Sequence, residues 1–411
     1  GAGLGGLTCA IACRRANPAL KVTVIERTPA ILTVGAGIHI PPNACRVLTR
    51  LGLLEKLKAA GAYQQDFFRL RKYADGEVIV AKPLKTRTEK VYVMHRGDFQ
   101  RVLLDEAIAL GVQILTGAEV VDVTRAADTQ YVSIKDGRSV EADVVIGADG
   151  LWSQVRDVVL NRPFSPAATG DLAYRGTFSY AQLRALRNKR LDKLLQKSDT
   201  QVWLGPGKHA VFYPLRGQTE YNLVLMNLTN GPRYRIGTRR IEDWLQDSLE
   251  TFLGNYHPHG GCLAPTAPYQ GQGAAMAVED GAILGMLLGK FQHHTVAASR
   301  EKRAACASSL FELYEDLRKE RTKVNVEGAV HTRHYYHLPD GPEQQARDKE
   351  LSELPSANWE APCMFNWGDA QYQKDLLGFD VLADAEVQYE KWEKTAVYRA
   401  RIIRYMLRLI N

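Results

Sequence analysis

Three glycines at the start of the chain have the spacing of a phosphate-binding turn. Gly1, Gly3 and Gly6 form the pattern G-x-G-x-x-G, and residues 7–15 carry the small apolar side chains of a tightly packed helix. Such glycines permit close backbone approach to a pyrophosphate at the helix amino end. Glu26 ends an apolar strand 20 residues beyond Gly6, where a carboxylate binds ribose hydroxyls. The alternative is a glycine-rich loop with a surface glutamate.

A second nucleotide-type pattern lies in the middle of the chain. Residues 143–147 form an apolar run that predicts a strand, and Asp149 and Gly150 follow it before Ser153 and Arg156. An acid at the carboxyl end of a strand, beside a glycine turn and a helix start, suits a sugar or pyrophosphate at the crevice of a sheet. Two strand–turn pairs of this kind in one chain indicate a dinucleotide-binding fold.

A third glycine-containing turn, at residues 265–273, precedes a helix predicted over residues 274–288. Gly271 and Gly273 allow backbone amides to lie against a phosphate or a flat ring, and the helix offers its positive end to an anion at Ala274. The alternative is a Pro/Gly loop that caps an ordinary helix. This pattern alone does not decide between the two.

The composition limits the class of protein. The 411 residues, of which 45% are hydrophobic and 24% charged, indicate two or three globular domains. The longest apolar stretch, residues 282–288, is far shorter than the roughly 20 residues that span a bilayer, so we predict no transmembrane segment. The net charge is +7, but basic and acidic residues are interspersed and no basic-stripe motif is present. We therefore predict no nucleic-acid partner.

Other function classes lack the residues that they require. The six cysteines have no C-x-x-C pair, and no signal peptide stands at the start, which predicts a reducing compartment, the cytoplasm. His331, His334 and His337 are spaced by three, but no cysteine or carboxylate cluster accompanies them, so we predict no metal site. The tail, residues 391–411, mixes arginines with apolar residues. A terminal helix packed on the protein is the simpler interpretation, and peripheral membrane contact is the alternative.

Taken in order, these motifs resemble the single-component FAD-dependent aromatic-ring monooxygenases, particularly the fungal salicylate-hydroxylase-like branch. The first glycine turn and Glu26 resemble the pyrophosphate loop and the ribose acid of that family. Residues 35–43 resemble its flavin-side loop, which includes Ala36 and Gly37, with His39 where glutamine is more usual. The resemblance implies that FAD is the cofactor and that these residues bind it.

Further motifs extend the resemblance over nearly the whole chain. Residues 95–98 resemble the segment whose arginine, here Arg96, contacts FAD. Asp149 and Gly150 are similar to the Asp-Gly motif that serves both FAD and the visiting nicotinamide nucleotide. Residues 337–343 and 367–380 resemble the C-terminal region of the fungal members.

The middle of the chain predicts an antiparallel sheet, which by resemblance covers the substrate. Residues 171–228 alternate short β-rich runs with Gly/Pro turns, which is typical of an antiparallel sheet. By resemblance, Arg175 and Tyr213 bind an anionic or phenolic substrate beside the flavin. A guanidinium favours a phenolate, whose oxygen raises the electron density of the ring. The alternative to a substrate site is that Arg175 is an ordinary surface arginine and Tyr213 an ordinary half-buried tyrosine of the sheet.

The resemblance implies an α/β fold like that of p-hydroxybenzoate hydroxylase: a Rossmann-like FAD-binding domain, an antiparallel β-sheet substrate domain and a helical C-terminal region. The expected ranges are 1–74, 96–170 and 260–300 for the FAD-binding domain, 75–95 and 171–259 for the substrate domain, and 301–411 for the helical region. The implied enzyme uses FAD, NADPH or NADH, and O2 to hydroxylate a small aromatic or polyketide-like molecule through a flavin hydroperoxide.

Two places depart from the family pattern. No strand precedes Gly1, and residues 255–264 hold no strand where the family has one, so we expect the FAD-binding sheet to lack its first strand and a strand before residue 260. In a buried parallel sheet, the loss of central strands leaves backbone groups without partners. The alternative function is therefore a shortened, catalytically inactive flavin-family chain with weak or no FAD binding.

Overall fold

A computed structural model describes residues 1–31, 36–84, 90–126, 129–166, 169–228, 268–295, 300–354, 363–366 and 368–410. The helices in these ranges are α1 (Leu4–Ala16), α2 (Pro42–Arg50), α3 (Leu54–Ala59), α4 (Arg96–Ala109), α5 (Gln154–Leu160), α6 (Tyr180–Ala185), α7 (Lys189–Leu195), α8 (Gly273–Thr295), α9 (Arg300–Tyr336), α10 (Pro342–Glu353), α11 (Ala370–Leu377) and α12 (Val381–Ile410). The strands are β1 (Thr23–Ile25), β2 (Gly37–Ile40), β3 (Tyr63–Gln64), β4 (Phe67–Lys72), β5 (Val78–Pro83), β6 (Tyr92–His95), β7 (Gln113–Leu115), β8 (Val120–Ala126), β9 (Thr129–Ile134), β10 (Ser139–Ala142), β11 (Asp171–Ser179), β12 (Asp199–Gly205), β13 (Lys208–Leu215) and β14 (Glu220–Leu228).

Helices α1 and α8 pack against each other along a stripe of glycines. A Cβ added at Gly281 or at Gly285 would lie 2.4 Å from a backbone carbonyl oxygen of α1. One added at Gly289 would lie 2.3 Å from Cβ of Ala16. Because these positions have no side chain, the two helix backbones approach closely and bury the apolar side chains of α1. The predicted helices over residues 7–15 and 274–288 are both confirmed.

A short parallel ladder lies beside α1. Strand β1 pairs with β7 in register from Thr23 with Gln113 to Ile25 with Leu115. The strand predicted over residues 143–147 is wrong: this segment has no strand geometry, and Val144 is 40% exposed. No strand in the described part of the chain pairs with it, so its apolar pattern is not stabilised by a hydrogen-bonded ladder.

The largest sheet has six strands in the order β11-β14-β13-β12-β4-β5. All pairs are antiparallel except β12 with β4, so the antiparallel sheet predicted over residues 171–228 is confirmed and gains the β4–β5 hairpin. Arg175 pairs with Val224, which pairs with Val211, two residues before Tyr213. Because paired residues share a face and alternate residues share a face, Arg175 and Tyr213 lie on one side, here called the inner face.

Two smaller sheets complete the strands of the described segments. Strand β6 lies between β2 and β3, with Gly37 opposite His95. Strands β8, β9 and β10 form a separate antiparallel meander. Strand β2 begins at Gly37, whose amide donates to Oδ1 of Asn222 on β14 at 2.9 Å. The flavin-side strand is therefore hydrogen-bonded to the six-stranded sheet.

The C-terminal helices cover the inner face of the large sheet. Tyr335 and Tyr336 at the end of α9 join Phe365 in one apolar cluster with Leu70 and Val202 of the sheet. Helix α12 packs Val381, Leu382, Ala385 and Tyr389 into the cluster that holds α1 and α8. The expected loss of a strand before residue 260 concerns residues 229–267, which lie outside the described residues. Among the helices of the described ranges, none combines the length and apolar character needed to cross a membrane.

Candidate functional site

The first glycine turn is packed closely on one side and open on the other. A Cβ added at Gly1 would lie 2.4 Å from the carbonyl oxygen of Ala148, and one added at Gly6 would lie 2.1 Å from the carbonyl oxygen of Gly1. A Cβ added at Gly3 would meet no protein atom within 4 Å. Gly1 and Gly6 thus let the turn fold onto residues 147–149, while Gly3 faces open space at the amino end of α1, as a phosphate cradle requires.

Glu26 holds the glycine turn in place. Its Oε2 accepts a hydrogen bond from the Ala2 amide at 2.8 Å, and its Oε1 accepts from the Thr28 amide at 3.0 Å and hydroxyl at 3.1 Å. Burial alone would raise the pKa of Glu26, but these hydrogen bonds outweigh it and lower the pKa. On the other side of the turn, Nε2 of Gln100 donates to the Ala2 carbonyl at 2.6 Å. Glu26 is therefore an ionised group at the edge of the turn.

Arg96 is a partly buried cation near this carboxylate. Its Nη1 lies 3.4 Å from Oε1 of Gln100, and its amide donates to the carbonyl of Ala36 at 3.0 Å. Burial lowers the pKa of the Arg96 guanidinium, and the charge of Glu26 opposes this shift. Within the described residues no carboxylate lies within 4 Å of the Arg96 side chain. A desolvated guanidinium in this state favours an anionic ligand.

Asp149 organises the turn before α5. Its Oδ1 accepts from the Ser153 hydroxyl at 2.5 Å, and its Oδ2 accepts from the Gln154 amide at 2.7 Å and the Val155 amide at 3.1 Å. Gly150, the next residue, has φ +77°, a conformation that favours glycine. Asp149 therefore binds the first-turn amides of α5, whose N-cap is Ser153, and it lies directly beside the glycine turn because Gly1 packs against Ala148 and Asp149.

The described part of the third glycine turn, residues 268–274, is here called the flavin loop and is tied to two other elements. Gly271 has φ +62°, which explains the need for glycine in the turn before α8, where Gly273 and Ala274 are the first helical residues. The hydroxyl of Tyr269 donates to Oδ2 of Asp171 at 2.7 Å, and Nδ2 of Asn43 donates to Oε1 of Gln272 at 3.1 Å. The loop is thereby fixed between β11 and α2.

Tyr213 lies where the sheet meets the flavin-side strand. A Cβ added at Gly37 would lie 2.6 Å from the Tyr213 ring and 2.8 Å from its hydroxyl oxygen, so only glycine allows this contact. Tyr213 is 3% exposed. Burial raises the pKa of Tyr213, and the nearby positive charge of Arg175 opposes this rise. Tyr213 is therefore a neutral hydroxyl at neutral pH.

Arg175 lies two strands away on the same face. Its side chain is exposed, although desolvation by the surrounding protein lowers the pKa of the guanidinium and Tyr213 opposes this shift. A guanidinium and a tyrosine hydroxyl that act on each other across one face can hold a single oxyanion or phenolic oxygen. The structure thus brings together the two predicted substrate residues and Gly37 of β2, the flavin-side strand.

Buried amide groups around these loops support a fit to FAD. In the described residues, Oδ1 of Asn43, Nδ2 of Asn222 and Nε2 of Gln272 are buried without a hydrogen-bond partner. Buried polar atoms in proteins are normally hydrogen-bonded, so such a group beside the flavin-side strand and the flavin loop fits a ligand with both donors and acceptors. A flavin ring edge has both. Together with the open glycine cradle, these groups fit FAD.

Sequence reasoning missed a buried polar network on the inner face. His39 Nε2 lies 2.9 Å from the Thr200 hydroxyl, which donates to Oε1 of Gln65 at 3.0 Å. Farther along the face, Nδ1 of His209 and Nε2 of His337 lie 2.7 Å apart. Strand alternation could have placed Thr200 and His209 on the face of Tyr213, but no local pattern links residue 209 with residue 337.

The histidines that sequence reasoning considered as a metal site have other surroundings. His331 and His334 contact the ring of Tyr335, while His337 pairs with His209. In the part of the chain that the structure describes, no three His, Cys, Asp or Glu side chains are grouped so that they could hold a metal ion.

Comparisons with known proteins identify the family of the chain. Residues 1–211 match the family model described as an FAD binding domain. The chain is 31% identical to the FAD-dependent monooxygenase OpS4 of Beauveria bassiana (strain ARSEF 2860), over 94% of this chain and 95% of that protein. It is 29% identical to 3-amino-4-hydroxybenzoate 2-monooxygenase of Streptomyces cremeus, over 85% of this chain and 90% of that enzyme.

Solved structures show the same fold. A salicylate hydroxylase in complex with its substrate superimposes with a TM-score of 0.70 at 21% identity, covering 94% of this chain and 96% of that one. The structure of FqzB superimposes with a TM-score of 0.70 at 20% identity, covering 98% of this chain and 93% of that one. The predicted combination of an FAD-binding fold, an antiparallel sheet and C-terminal helices is confirmed at this level.

Proposed function

The chain belongs to the FAD-dependent monooxygenases, and from this premise we propose which of its side chains hold the nucleotide, the flavin ring and the substrate. Membership confirms the predicted family and the predicted cofactor FAD. The relatives named for hydroxybenzoate and salicylate support the proposal that this chain also acts on aromatic rings. The alternative of an inactive flavin-family chain is not favoured. When bound, FAD supplies the redox chemistry that links a nicotinamide reductant, O2 and the ring.

The nucleotide half of FAD is proposed to lie across the amino end of α1. Gly1, Gly3 and Gly6 shape the cradle, and the open side at Gly3 admits the pyrophosphate. Glu26, which is ionised, accepts hydrogen bonds from ribose hydroxyls, while Arg96 supplies positive charge to the phosphates. Support comes from the hydrogen bonds of Ala2, whose amide donates to Glu26 and whose carbonyl accepts from Gln100.

Asp149 and Gly150 are proposed to contribute to cofactor binding through the shape of the turn. The carboxylate of Asp149 already accepts three hydrogen bonds from residues 153–155. Its proposed role is therefore to fix the backbone that packs against Gly1. The negative charge of its carboxylate also faces the nucleotide in this proposal.

The flavin ring is proposed to lie between the flavin-side strand and the flavin loop. Ala36 and Gly37 border it on one side, and Gly271, Gly273 and Ala274 border it on the other. The positive end of α8 stabilises negative charge on the ring. The buried amides of Asn43, Asn222 and Gln272 are available to the polar edge of the ring.

The substrate is proposed to lie on the inner face, with an oxygen held by Arg175 and Tyr213. The observation that carries this proposal is the contact between Tyr213 and Gly37, because it joins the substrate sheet directly to the flavin-side strand. Arg175 stabilises a phenolate or a carboxylate, and Tyr213 donates its hydroxyl proton in a hydrogen bond. Both residues orient the ring and leave redox chemistry to the cofactor.

The proposed division into domains follows the expected ranges with two adjustments. Strand β4 within residues 1–74 pairs with the large sheet, and β6 within residues 75–95 pairs with the flavin-side strand. We assign β4 to the substrate domain and β6 to the FAD-binding domain accordingly. Residues 96–170 and 171–228 keep their predicted assignments, and the boundary at 259–260 lies outside the described residues.

The co-substrates are proposed to be NADPH or NADH together with O2, as the chemistry of the family requires. The cytoplasm is the proposed compartment. Its support is that the described cysteines Cys9, Cys13 and Cys45 are buried and form no disulfide, as is usual in a reducing compartment.

The proposal is tested with the purified chain loaded with FAD. Hydroxybenzoates and dihydroxybenzenes are screened for stimulation of NADH or NADPH oxidation, and hydroxylated product is measured beside hydrogen peroxide. We expect Arg175→Ala to keep its flavin and its reductant oxidation but to release peroxide in place of product. Normal product yield in Arg175→Ala and Tyr213→Phe would refute the substrate site. Loss of flavin from either variant would show that these residues serve the cofactor instead.

A further inference from the structure

His39 lies at the corner between the substrate residue Tyr213 and the flavin loop. The centroids of the His39 and Tyr213 rings are 4.6 Å apart with an angle of 54° between their planes. On the other side, a Cβ added at Gly271 would lie 3.8 Å from Cβ of His39 and 3.9 Å from its Nδ1. The imidazole therefore borders both proposed ligands.

The hydrogen bonds of Thr200 assign the proton of His39. The Thr200 hydroxyl has a single proton and donates it to Oε1 of Gln65 at 3.0 Å. With Oε1 of the Gln65 amide facing Thr200, as the structure has it, the Thr200 oxygen accepts the bond from Nε2 of His39 at 2.9 Å, which assigns the proton to Nε2. Thr200 and Gln65 are both fully buried, which keeps water from replacing either partner.

The second nitrogen of His39 is then a bare acceptor. Burial lowers the pKa of His39 to about 4, so the ring is neutral at neutral pH and has only one N–H. Within the described segments Nδ1 has no hydrogen-bond partner, although it faces the Gly271 side of the ring. A neutral imidazole with a fixed tautomer can receive a donor there without taking its proton.

We propose that His39 is a further ligand-contacting residue of this site, whose Nδ1 accepts a hydrogen bond from an N–H or O–H group bound between Tyr213 and the flavin loop. Two bound molecules offer that donor: the flavin ring through its N–H, and the aromatic substrate through a protonated hydroxyl. The second source rests on the proposed function, because it requires the substrate to lie beside Tyr213. In that case the site selects rings with one oxygen for Arg175 and a second, protonated hydroxyl for His39.

Two variants separate this role from a structural one. His39→Phe keeps a flat ring against Tyr213 but removes both nitrogens. Thr200→Val removes the partner of Nε2 and leaves Nδ1 in place. A role confined to packing or to the Thr200 bond predicts equal effects of the two variants, whereas an acceptor role predicts that His39→Phe alone weakens ligand binding.

The state of the ring is measured by nitrogen NMR of protein labelled with ¹⁵N-histidine, with His39→Phe identifying the signals. We expect a protonated Nε2 and an unprotonated Nδ1 in the protein before FAD is added. A proton on Nδ1 would overturn the proposal. This readout requires no catalytic activity.

Binding measurements identify the donor. FAD affinity is measured by flavin fluorescence, and the FAD-loaded protein is then titrated with catechol, resorcinol and hydroquinone and with their monomethyl ethers. Loss of one hydrogen bond predicts roughly a three- to tenfold change. A lower FAD affinity in His39→Phe than in Thr200→Val assigns the donor to the flavin. Preference for at least one diphenol over its ether, lost only in His39→Phe, assigns it to the substrate.

Equal FAD and diphenol affinities in the two variants would overturn the inference. The proposed function fails separately, if Arg175→Ala and Tyr213→Phe bind every diphenol as tightly as the parent chain does. In that event a flavin donor to His39 would still be detected in the FAD titration.

Discussion

The nucleotide end and the inner face of the large sheet position their functional groups in different ways. At the nucleotide end, residues that carry no side chain allow backbones to meet, as at Gly6, where an added Cβ would lie 2.1 Å from a carbonyl oxygen. On the inner face, side chains from distant segments meet, as with Arg175, Tyr213 and His39. The nucleotide end depends on glycines that have no side chain. The inner face depends on where each side chain lies across the strands.

This difference predicts different responses to substitution. A side chain added at a packed glycine such as Gly6 or Gly285 collides with backbone, which cannot move without moving α1 or α8. A side chain removed from the inner face leaves the strand ladders intact, because backbone hydrogen bonds hold β11, β13 and β14 together. Substitutions at the packed glycines should therefore impair folding, whereas those at the open Gly3 and on the inner face should impair ligand binding or turnover.

The largest effect is expected where α8 meets α1. In Gly285→Val the new Cβ would lie 2.4 Å from the carbonyl oxygen of Cys9 and 2.6 Å from Cβ of Ala12. The helices must separate, and we expect the free energy of unfolding to fall by about 3 kcal/mol. Urea unfolding of the FAD-free protein measures this change.

Gly3→Ala is the matched control for Gly285→Val. A Cβ at this position meets no protein atom within 4 Å, and the backbone φ of −73° suits alanine. We expect normal stability without FAD but weaker FAD binding, because the methyl group occupies the cradle. If Gly3→Ala lowered the free energy of unfolding as much as Gly285→Val does, the distinction between packed and open glycines would be wrong.

The second prediction concerns the inner face. Arg175→Ala should lower product formation tenfold to a hundredfold, since a charge-assisted hydrogen bond contributes about 1.5 to 3 kcal/mol. Tyr213→Phe should have a smaller effect because it removes a neutral hydrogen bond. Steady-state rates and product per reductant consumed measure both effects. Arg184→Ala, an exposed arginine on α6, is the control and should leave turnover unchanged.

The third prediction returns to the nucleotide end. Arg96→Met keeps most of the buried aliphatic volume but removes the cation beside Glu26. We expect FAD affinity to fall about tenfold, or about 1.4 kcal/mol, with the unfolding midpoint of the FAD-free protein unchanged or raised. Arg50→Met removes a surface ion pair with Glu386 and should leave FAD affinity unchanged. Equal FAD affinities of Arg96→Met and the parent chain would remove Arg96 from the cofactor site.

The same contrast explains what could be predicted from the sequence. The glycine turns and the helices α1 and α8 are local, so their residues carry the signal within a short window. The antiparallel strands also follow from local alternation. The strand predicted over residues 143–147 was wrong because a strand requires a partner, and the partner is not encoded in the segment itself.

Contacts between distant segments were harder to predict. The pairing of His209 with His337 spans 128 positions, and the polar contact of His39 with Thr200 spans 161. His39 and His337 were noticed in the sequence, but nothing local to either histidine identifies its distant partner. The glycine stripe at residues 281, 285 and 289 was visible in the sequence, but its meaning depends on the identity of the facing helix. Fold class follows from local patterns, whereas the polar network of the site requires the assembled sheet.

The smallest predicted effect concerns pH and the buried histidine pair. Burial lowers the pKa of His209 to about 3 and that of His337 to about 4, below the value near 6.5 expected in the unfolded chain. As the pH falls, the histidines of the unfolded chain therefore bind protons before those of the folded chain do. The free energy of unfolding consequently falls from about pH 6.5 toward pH 4. Each histidine should lower the free energy of unfolding by about 0.7 kcal/mol between pH 7 and pH 6.

Replacement of both rings tests this dependence. A double variant, His209→Leu with His337→Leu, leaves no unpartnered imidazole and should show a shallower loss of unfolding free energy between pH 7 and pH 5 than the parent chain. His334→Gln, an exposed histidine on α9, is the control and should keep the parent slope. Because the inner face depends on placement rather than on close backbone contact, the double variant should still fold at pH 7. A parent slope that persists in the double variant would show that other groups set the acid sensitivity.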